Sequence, residues 1–248
     1  MISNFSSSSA PAERRSLETI LQQTIRPRCA KGHIAILFTG GIDSTTLACI
    51  TQDLSPELYF AEILDPSCAS YNQHSIRHCR DLARRLSLRF HSIPISLKIF
   101  QAHLRILQRR RWQHSLDQYL PAADHLFALM KQQSIQTVLS GMGADDVLCS
   151  SDKYLKKLLL VKEPISLVQH RRAAAVHQLR FLAPFISPPF IATTLNIPFE
   201  LRWHKQPLSN ILRANTAVYT LMEKRPRQDS FIPDKFFQLK PTSNSPHL

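Results

Sequence analysis

Four of the five glycines in this chain sit in two short clusters about a hundred residues apart, each directly behind a short apolar run. The first is Thr39-Gly40-Gly41, after His33-Ile-Ala-Ile-Leu-Phe38. The second is Ser140-Gly141-Met142-Gly143, after Thr137-Val-Leu139. Average usage would put ~17 glycines in a chain of this length. A sequence that otherwise avoids glycine therefore concentrates its backbone freedom at the ends of two buried strands. This excludes collagen-like, low-complexity and glycine-rich flexible architectures, and all-β folds that spend glycine at many turns.

Between and around these clusters apolar runs alternate with helical periodicity. Strands are expected at His33–Phe38, Leu58–Leu64, Leu88–Ile93 and Thr137–Leu139. Helices are expected before the first strand, on Leu17, Ile20, Leu21 and Ile25, then from Asp43 to Ile50, Ile76 to Leu86, Leu97 to Leu107 and Ala122 to Lys131. Strands alternating with helices predict an α/β fold with a parallel, doubly wound sheet. Past Asp152 the chain is punctuated by Pro164, Pro184, Pro188, Pro189, Pro198 and Pro207 and shows no convincing strand, so it reads as a helical C-terminal extension. Residues 1–12, with Ser6 to Ser9 and Pro11, read as a disordered lead. Residues 13–236 read as one domain, with its sheet part reaching to about 150, and 237–248 as a frayed tail.

The 248 residues include 31 Lys+Arg against 18 Asp+Glu, a formal charge of +13. Such a field favours polyanionic ligands and says nothing of fold. Cys29, Cys49, Cys68, Cys79 and Cys149 are odd in number and lack C-x-x-C spacing, which reads as reduced thiols in a cytoplasmic protein. Arginines near Cys68 and Cys79 would favour reactive thiolates, although half-buried inert thiols are the commoner case. The Ser-rich start is no secretory signal, and no run approaches about 18 apolar residues, so no membrane span is expected. The histidines show no metal-binding spacing.

The first cluster continues as Thr39-Gly-Gly-Ile-Asp-Ser-Thr45 at a strand-to-helix junction. Gly40 and Gly41 let backbone N–H groups approach a phosphate, and the helix start adds its positive dipole end. Thr39, Ser44 and Thr45 offer hydroxyls, and Asp43 offers a carboxylate for phosphate-bound Mg²⁺. The spacing is neither the Walker pattern nor G-x-G-x-x-G. Ser140-Gly-Met-Gly-Ala-Asp-Asp146 should emerge at the same sheet edge, where Asp145 and Asp146 could complete the Mg²⁺ site. The plainer readings are a tight turn and a solvated acidic loop.

These residues carry a family resemblance. Thr39-Gly-Gly-Ile-Asp-Ser44 resembles the Ser-Gly-Gly-x-Asp-Ser pyrophosphate loop of ATP pyrophosphatases, the PP-loop family. Ser140-Gly-Met-Gly-Ala-Asp-Asp146 resembles the Ser-Gly-Glu-Gly-Ser-Asp-Glu segment of asparagine synthetases. Ala183-Pro-Phe-Ile-Ser187 is similar to that family's Pro-Phe-Leu-Asp segment. Lys205-Gln-Pro-Leu208 and Arg225-Pro-Arg-Gln-Asp-Ser-Phe231 are similar to its Lys-x-x-Leu and Arg-Pro-Lys-Gln-Gly-Phe ending. The resemblance implies a synthetase domain of the adenine nucleotide alpha-hydrolase-like, HUP-type fold that uses ATP and Mg²⁺. It implies that a carboxylate attacks the α-phosphate, pyrophosphate leaves, and an amine captures the acyl-adenylate as an amide. Lys205 would then reach the pyrophosphate, Asp43 and Asp145 would hold the metal, and Ser140 and Gly141 would border the adenosine. Arg225 and Arg227 are weaker candidates for the same charge.

Departures from the pattern limit what carries over. Met142 stands where asparagine synthetases have glutamate and β-lactam synthetases have tyrosine, so a proton acceptor is missing there. Asp146, His74, His78 or Tyr71 could serve instead, the attacking group could need no base, or catalysis could be lost. Ser187 replaces an aspartate, and Arg180 and Leu182 fall where glutamate and arginine are expected, so the pocket around Met142 and Asp146 should not be built for aspartate. Met1-Ile-Ser3 offers no terminal cysteine of the kind the glutaminase domain of asparagine synthetases needs, so that domain is expected to be lacking. The amine is then expected from the substrate itself, a small molecule or peptide, as in β-lactam synthetases and lasso peptide cyclases, or from a separate ammonia-supplying or pathway partner. Two other readings stand beside this one. In one, Arg109-Arg-Arg-Trp112, with Lys98 and His114 nearby, binds RNA and the enzyme adenylates a tRNA base. In the other, the chain is a non-catalytic nucleotide-binding subunit.

Overall fold

The computed structural model describes residues 10–29, 32–110, 116–160, 163–223 and 232–238, with side chains from residue 17 onward. In chain order the elements are α1 (Ala10–Cys29), β1 (His33–Leu37), α2 (Ile42–Ile50), β2 (Glu57–Ile63), α3 (Ala69–Leu86), β3 (Phe90–Ile95), α4 (Leu97–Arg109) and α5 (Leu120–Gln132). They continue with β4 (Ile135–Leu139), α6 (Ala144–Leu148), α7 (Asp152–Leu160), α8 (Ile165–Val176), β5 (Arg180–Leu182), α9 (Pro188–Thr194), α10 (Phe199–Arg202), α11 (Gln206–Leu212) and α12 (Thr216–Glu223). The five strands form one parallel sheet in the order β3-β2-β1-β4-β5. The β-branched run Ile34-Ala-Ile36 is buried at its centre because helices cover both faces.

The strand order explains how both faces are covered. From β1 to β3 the chain steps one way, and from β4 to β5 the other. Right-handed crossovers then put α2 and α3 on one face and α5 and α8 on the opposite one. On the first face α11 packs on α2, α12 on α3, and α1 on α9 and α11; on the second α5 packs on α4 and α8. The direction reverses between β1 and β4, so the loops leaving these two neighbours flank the crevice where open α/β sheets bind ligands. Both glycine clusters are those loops.

Four expectations need correction. The half beyond Asp152 does contain a strand: β5 pairs Thr137↔Arg180, Val138↔Phe181 and Leu139↔Leu182. Three residues are too few to show periodicity, and β5 exists through its pairing to β4. It also acts on the site, because Leu182 O accepts from Ser140 N at 2.9 Å and so anchors the start of the second glycine loop. Helix α3 starts at Ala69 rather than Ile76, its first turns being polar; Asn72 and Ser75 are buried there, with Asn72 Nδ2 donating to Ile63 O at 2.8 Å. Strand β3 extends to Ile95 through Pro94, which it tolerates as an edge strand. Helix α1 starts at Ala10, within the stretch read as a lead; residues 1–9 and 239–248 lie outside the described residues.

Candidate functional site

The first loop is held open at the N-terminus of α2. Gly40 has φ +68°, and a Cβ there would lie 2.9 Å from both His78 Cδ2 and Cys79 Sγ on α3. Only glycine meets both conditions. Gly41 is the N-cap of α2 and has no side chain with which to cap it, so the first-turn N–H groups are not consumed by a capping side chain. Thr39 Oγ1 accepts from Gly41 N at 3.3 Å, and Ser44 Oγ donates to Gly41 O at 3.2 Å. Thr45 is fully buried and its Oγ1 has no partner. An N-terminus of this kind suits a phosphate oxygen.

The other motifs close around this loop through contacts that leave no room for a side chain. A Cβ on Gly141 would lie 2.8 Å from Asp43 Cβ and 3.3 Å from Ser44 N, so the second glycine cluster rests directly on the first. Gly143 has φ +86°, and a Cβ on it would overlap Ile186, in the Ala183–Ser187 segment. Lys205 completes the convergence: its Nζ lies 2.6 Å from Asp43 Oδ2 and 2.9 Å from Asp145 Oδ2. Residues spread over more than 160 positions thus meet at one point.

Electrostatics at that point are strong. Burial pushes the Asp43 carboxyl up to about 6 against the pull of Lys205. Burial alone would lower Lys205, but Asp43 and Asp145 outweigh it and hold the ammonium above its ordinary value. Near neutral pH the pair is therefore ionic. His204 and Lys205 both have left-handed backbones, with φ 56° and 57°, which costs roughly 1–3 kcal/mol per residue. Among the described residues, no group of three or more His, Cys, Asp or Glu side chains is placed to cage a metal ion. Two carboxylates suffice for Mg²⁺ when substrate phosphates complete its shell. The buried Asp43 Oδ1, which has no hydrogen-bond partner, fits that requirement.

Of the groups considered as replacements for a base at Met142, two border the loops. His78 Nε2 is 3.2 Å from Gly40 O, and Asp146 Oδ1 accepts from Tyr154 Oη at 3.3 Å. His74 Nδ1 turns back to Ser70 O at 2.7 Å, and Tyr71 stacks on Phe60. Met142 is half-buried against the core, its backbone N donating to Ser140 Oγ at 3.2 Å. Ser187 Oγ is buried without a partner. Tyr154 was not among the residues singled out from sequence; it stands eight positions beyond Asp146 on a separate helix, and no motif marks it. The reactive-thiol reading gains no support: burial pushes Cys68 up, and Cys79 is fully buried. None of the five cysteines forms a disulfide among the described residues. Arg225, Arg227, Arg111, Trp112 and His114 lie outside the described residues.

The family model for asparagine synthase matches residues 16–171. The chain belongs to the asparagine synthase family. Membership makes it an ATP-using domain of the ligase or synthetase type. In this asparagine synthase-family chain the matched span takes in both glycine clusters, Asp43 and Asp145, and ends before Ser187 and Lys205. No curated protein matches the chain at a significant level. Among solved structures, it is similar to a "predicted subunit of tRNA methyltransferase" from Methanocaldococcus jannaschii, at 15% identity and TM-score 0.39, over 77% of this chain and 91% of that one. It is also similar to NMN synthetase from Francisella tularensis, at 13% identity and TM-score 0.35, over 93% and 100%. Similarity at this level carries no functional weight. No helix among the described residues is long and apolar enough to cross a membrane.

Proposed function

We propose that this chain is an ATP-dependent, amide-forming ligase of the cytoplasm that works through an acyl-adenylate. The observation that carries the reading is the junction of Lys205 with Asp43 and Asp145 at the crevice between β1 and β4, beside an uncapped helix N-terminus. In the first half-reaction a substrate carboxylate oxygen bonds to the α-phosphorus of ATP and the bond to the bridging oxygen breaks, releasing pyrophosphate. In the second, an amine nitrogen bonds to the acyl carbon, AMP leaves, and the amine proton passes to a base. Gly40, Gly41, Ser44, Thr45 and the first-turn N–H groups of α2 would hold the phosphates. Thr39 positions the loop through Gly41 N, and Ser140 and Gly141 would border the adenosine. Lys205 would stabilise the charge that develops on the leaving pyrophosphate. Asp43 and Asp145 would hold Mg²⁺, which when bound neutralises phosphate charge. Asp146 and Met142 would face the acyl and amine groups.

ATP–pyrophosphate exchange, measured with a panel of free carboxylates, amino acids and short peptides, tests the proposal. Carboxylate-dependent exchange is expected. Exchange supported by RNA alone would transfer the reading to RNA modification. Absence of exchange with either, together with unchanged nucleotide binding in Asp43→Ala, would indicate a non-catalytic subunit. Within the basic run, the Arg110 guanidinium turns inward to Asp124 at 3.6 Å and is not offered to RNA.

A further inference from the structure

We propose that Lys205 occupies the cation's seat in the nucleotide-free protein, so that a divalent cation reaches Asp43 and Asp145 only in company with ATP. This rests on the reading of those two carboxylates as the Mg²⁺ holders. The Lys205 ammonium lies 2.6 Å from Asp43 Oδ2 and 2.9 Å from Asp145 Oδ2, bridging the two side chains a metal would need. An ion that requires oxygens at about 2.1 Å cannot share this bridging position with an ammonium. The lysine side chain is only 13% exposed and that of Asp43 21%, whereas Asp145 is 76% exposed, so the Lys205–Asp43 half of the junction is the buried one and the lysine would leave it only for another counter-charge. A bare cation offers Lys205 no new counter-charge in exchange. A triphosphate does, since it delivers anionic oxygens together with its own metal.

Two further observations point the same way. Asp43 Oδ1 is buried without a partner, a carboxylate oxygen still available once Lys205 has left the other. His204 and Lys205 are consecutive left-handed residues at the entry to α11, so the backbone that aims the ammonium at the carboxylates is itself out of its relaxed conformation. Their dihedral angles are where release of the lysine would be absorbed. Occupation of one seat by either Lys205 or the metal makes metal and nucleotide binding mutually reinforcing, as linkage requires.

The test is Mn²⁺ uptake by the full chain, read by electron paramagnetic resonance of the free ion, without nucleotide and with a non-hydrolysable α,β-methylene ATP analogue. Wild type should take up Mn²⁺ poorly on its own. Lys205→Met, and Lys205→Gln as a second variant in case the first folds badly, should bind Mn²⁺ alone at least about tenfold more tightly. Adding Asp43→Asn should abolish that gain. Mn²⁺ alone should raise Tm in the Lys205 variants and not in wild type. Equal uptake of Mn²⁺ alone by wild type and both variants would overturn the inference, while analogue-dependent uptake that still needs Asp43 would leave the metal reading standing. Analogue-dependent uptake unchanged by Asp43→Asn and Asp145→Asn would remove the metal reading, and the inference with it.

Discussion

Gly141 and Gly143 are two residues apart and forbid a side chain for different reasons. Gly141 has an ordinary backbone but touches Asp43 and Ser44, so Gly141→Ala should push the first glycine loop rather than unfold the chain. Nucleotide affinity should fall, by an amount corresponding to an overpacking cost of about 1–3 kcal/mol, while Tm changes little; calorimetric titration with the ATP analogue and a thermal melt separate the two. Gly143 combines φ +86° with overlap on Ile186, so Gly143→Ala should lower Tm, and the double variant with Ile186→Ala should lose less than the sum of the two single losses. Lys205→Ala should lower the exchange rate by ~10²–10³, the scale of losing one preorganised charge that stabilises a transition state. The glycines, Asp43 and Asp145 stand out in the sequence as two loop motifs that follow apolar runs, and the structure brings those loops together. That Lys205 bridges the two aspartates was not legible there, since it depends on two left-handed residues that no propensity marks.

At the scale of elements, α4, α5 and α8 are joined by a buried charge. Asp124, 1% exposed, accepts from His103 Nδ1 at 2.7 Å and from His177 Nε2 at 2.9 Å, with Arg110 beside it and His125 Nδ1 3.1 Å from His103 Nε2. Burial pushes its carboxyl up, but the hydrogen bonds from the two histidines outweigh this and hold it well below the usual range. A carboxyl depressed in the folded state stabilises the fold above its unfolded value of about 3.9, and that stability is lost as pH falls through the folded value. Asp124→Ala should cost roughly 3–5 kcal/mol near neutral pH by leaving the donors of His103 and His177 and the Arg110 guanidinium without their buried acceptor. Asp124→Asn should also flatten the fall of Tm between pH 5 and pH 2, which melts across that range would show. Nucleotide binding below Tm should be unaffected, because this cluster lies on the face opposite α2 and α3. Strands β1, β2, β3 and β4 were legible as apolar runs, whereas β5 was not. Its three residues become a strand only through pairing with β4, a long-range contact without local signature.

For the whole molecule, the sheet order is what turns scattered motifs into a site. The reversal between β1 and β4 brings the two glycine loops side by side, β5 fixes the second loop through Ser140 N, and the helical half delivers Ile186 and Lys205. The α/β class and the position of the crevice follow from the alternation of strands and helices. The identity of the proposed carboxylate and amine does not, because Met142 and Ser187 depart from the family pattern. The positive charge suits a polyanion such as ATP, and within the basic run the Arg110 guanidinium turns inward to Asp124. The most direct measurement follows the fate of the carboxylate oxygen. With a substrate that supports exchange, labelled with ¹⁸O in its carboxyl group, turnover with the amine should place one ¹⁸O in the AMP released and none in pyrophosphate. Unlabelled AMP, or release of ADP and labelled phosphate, would contradict an acyl-adenylate.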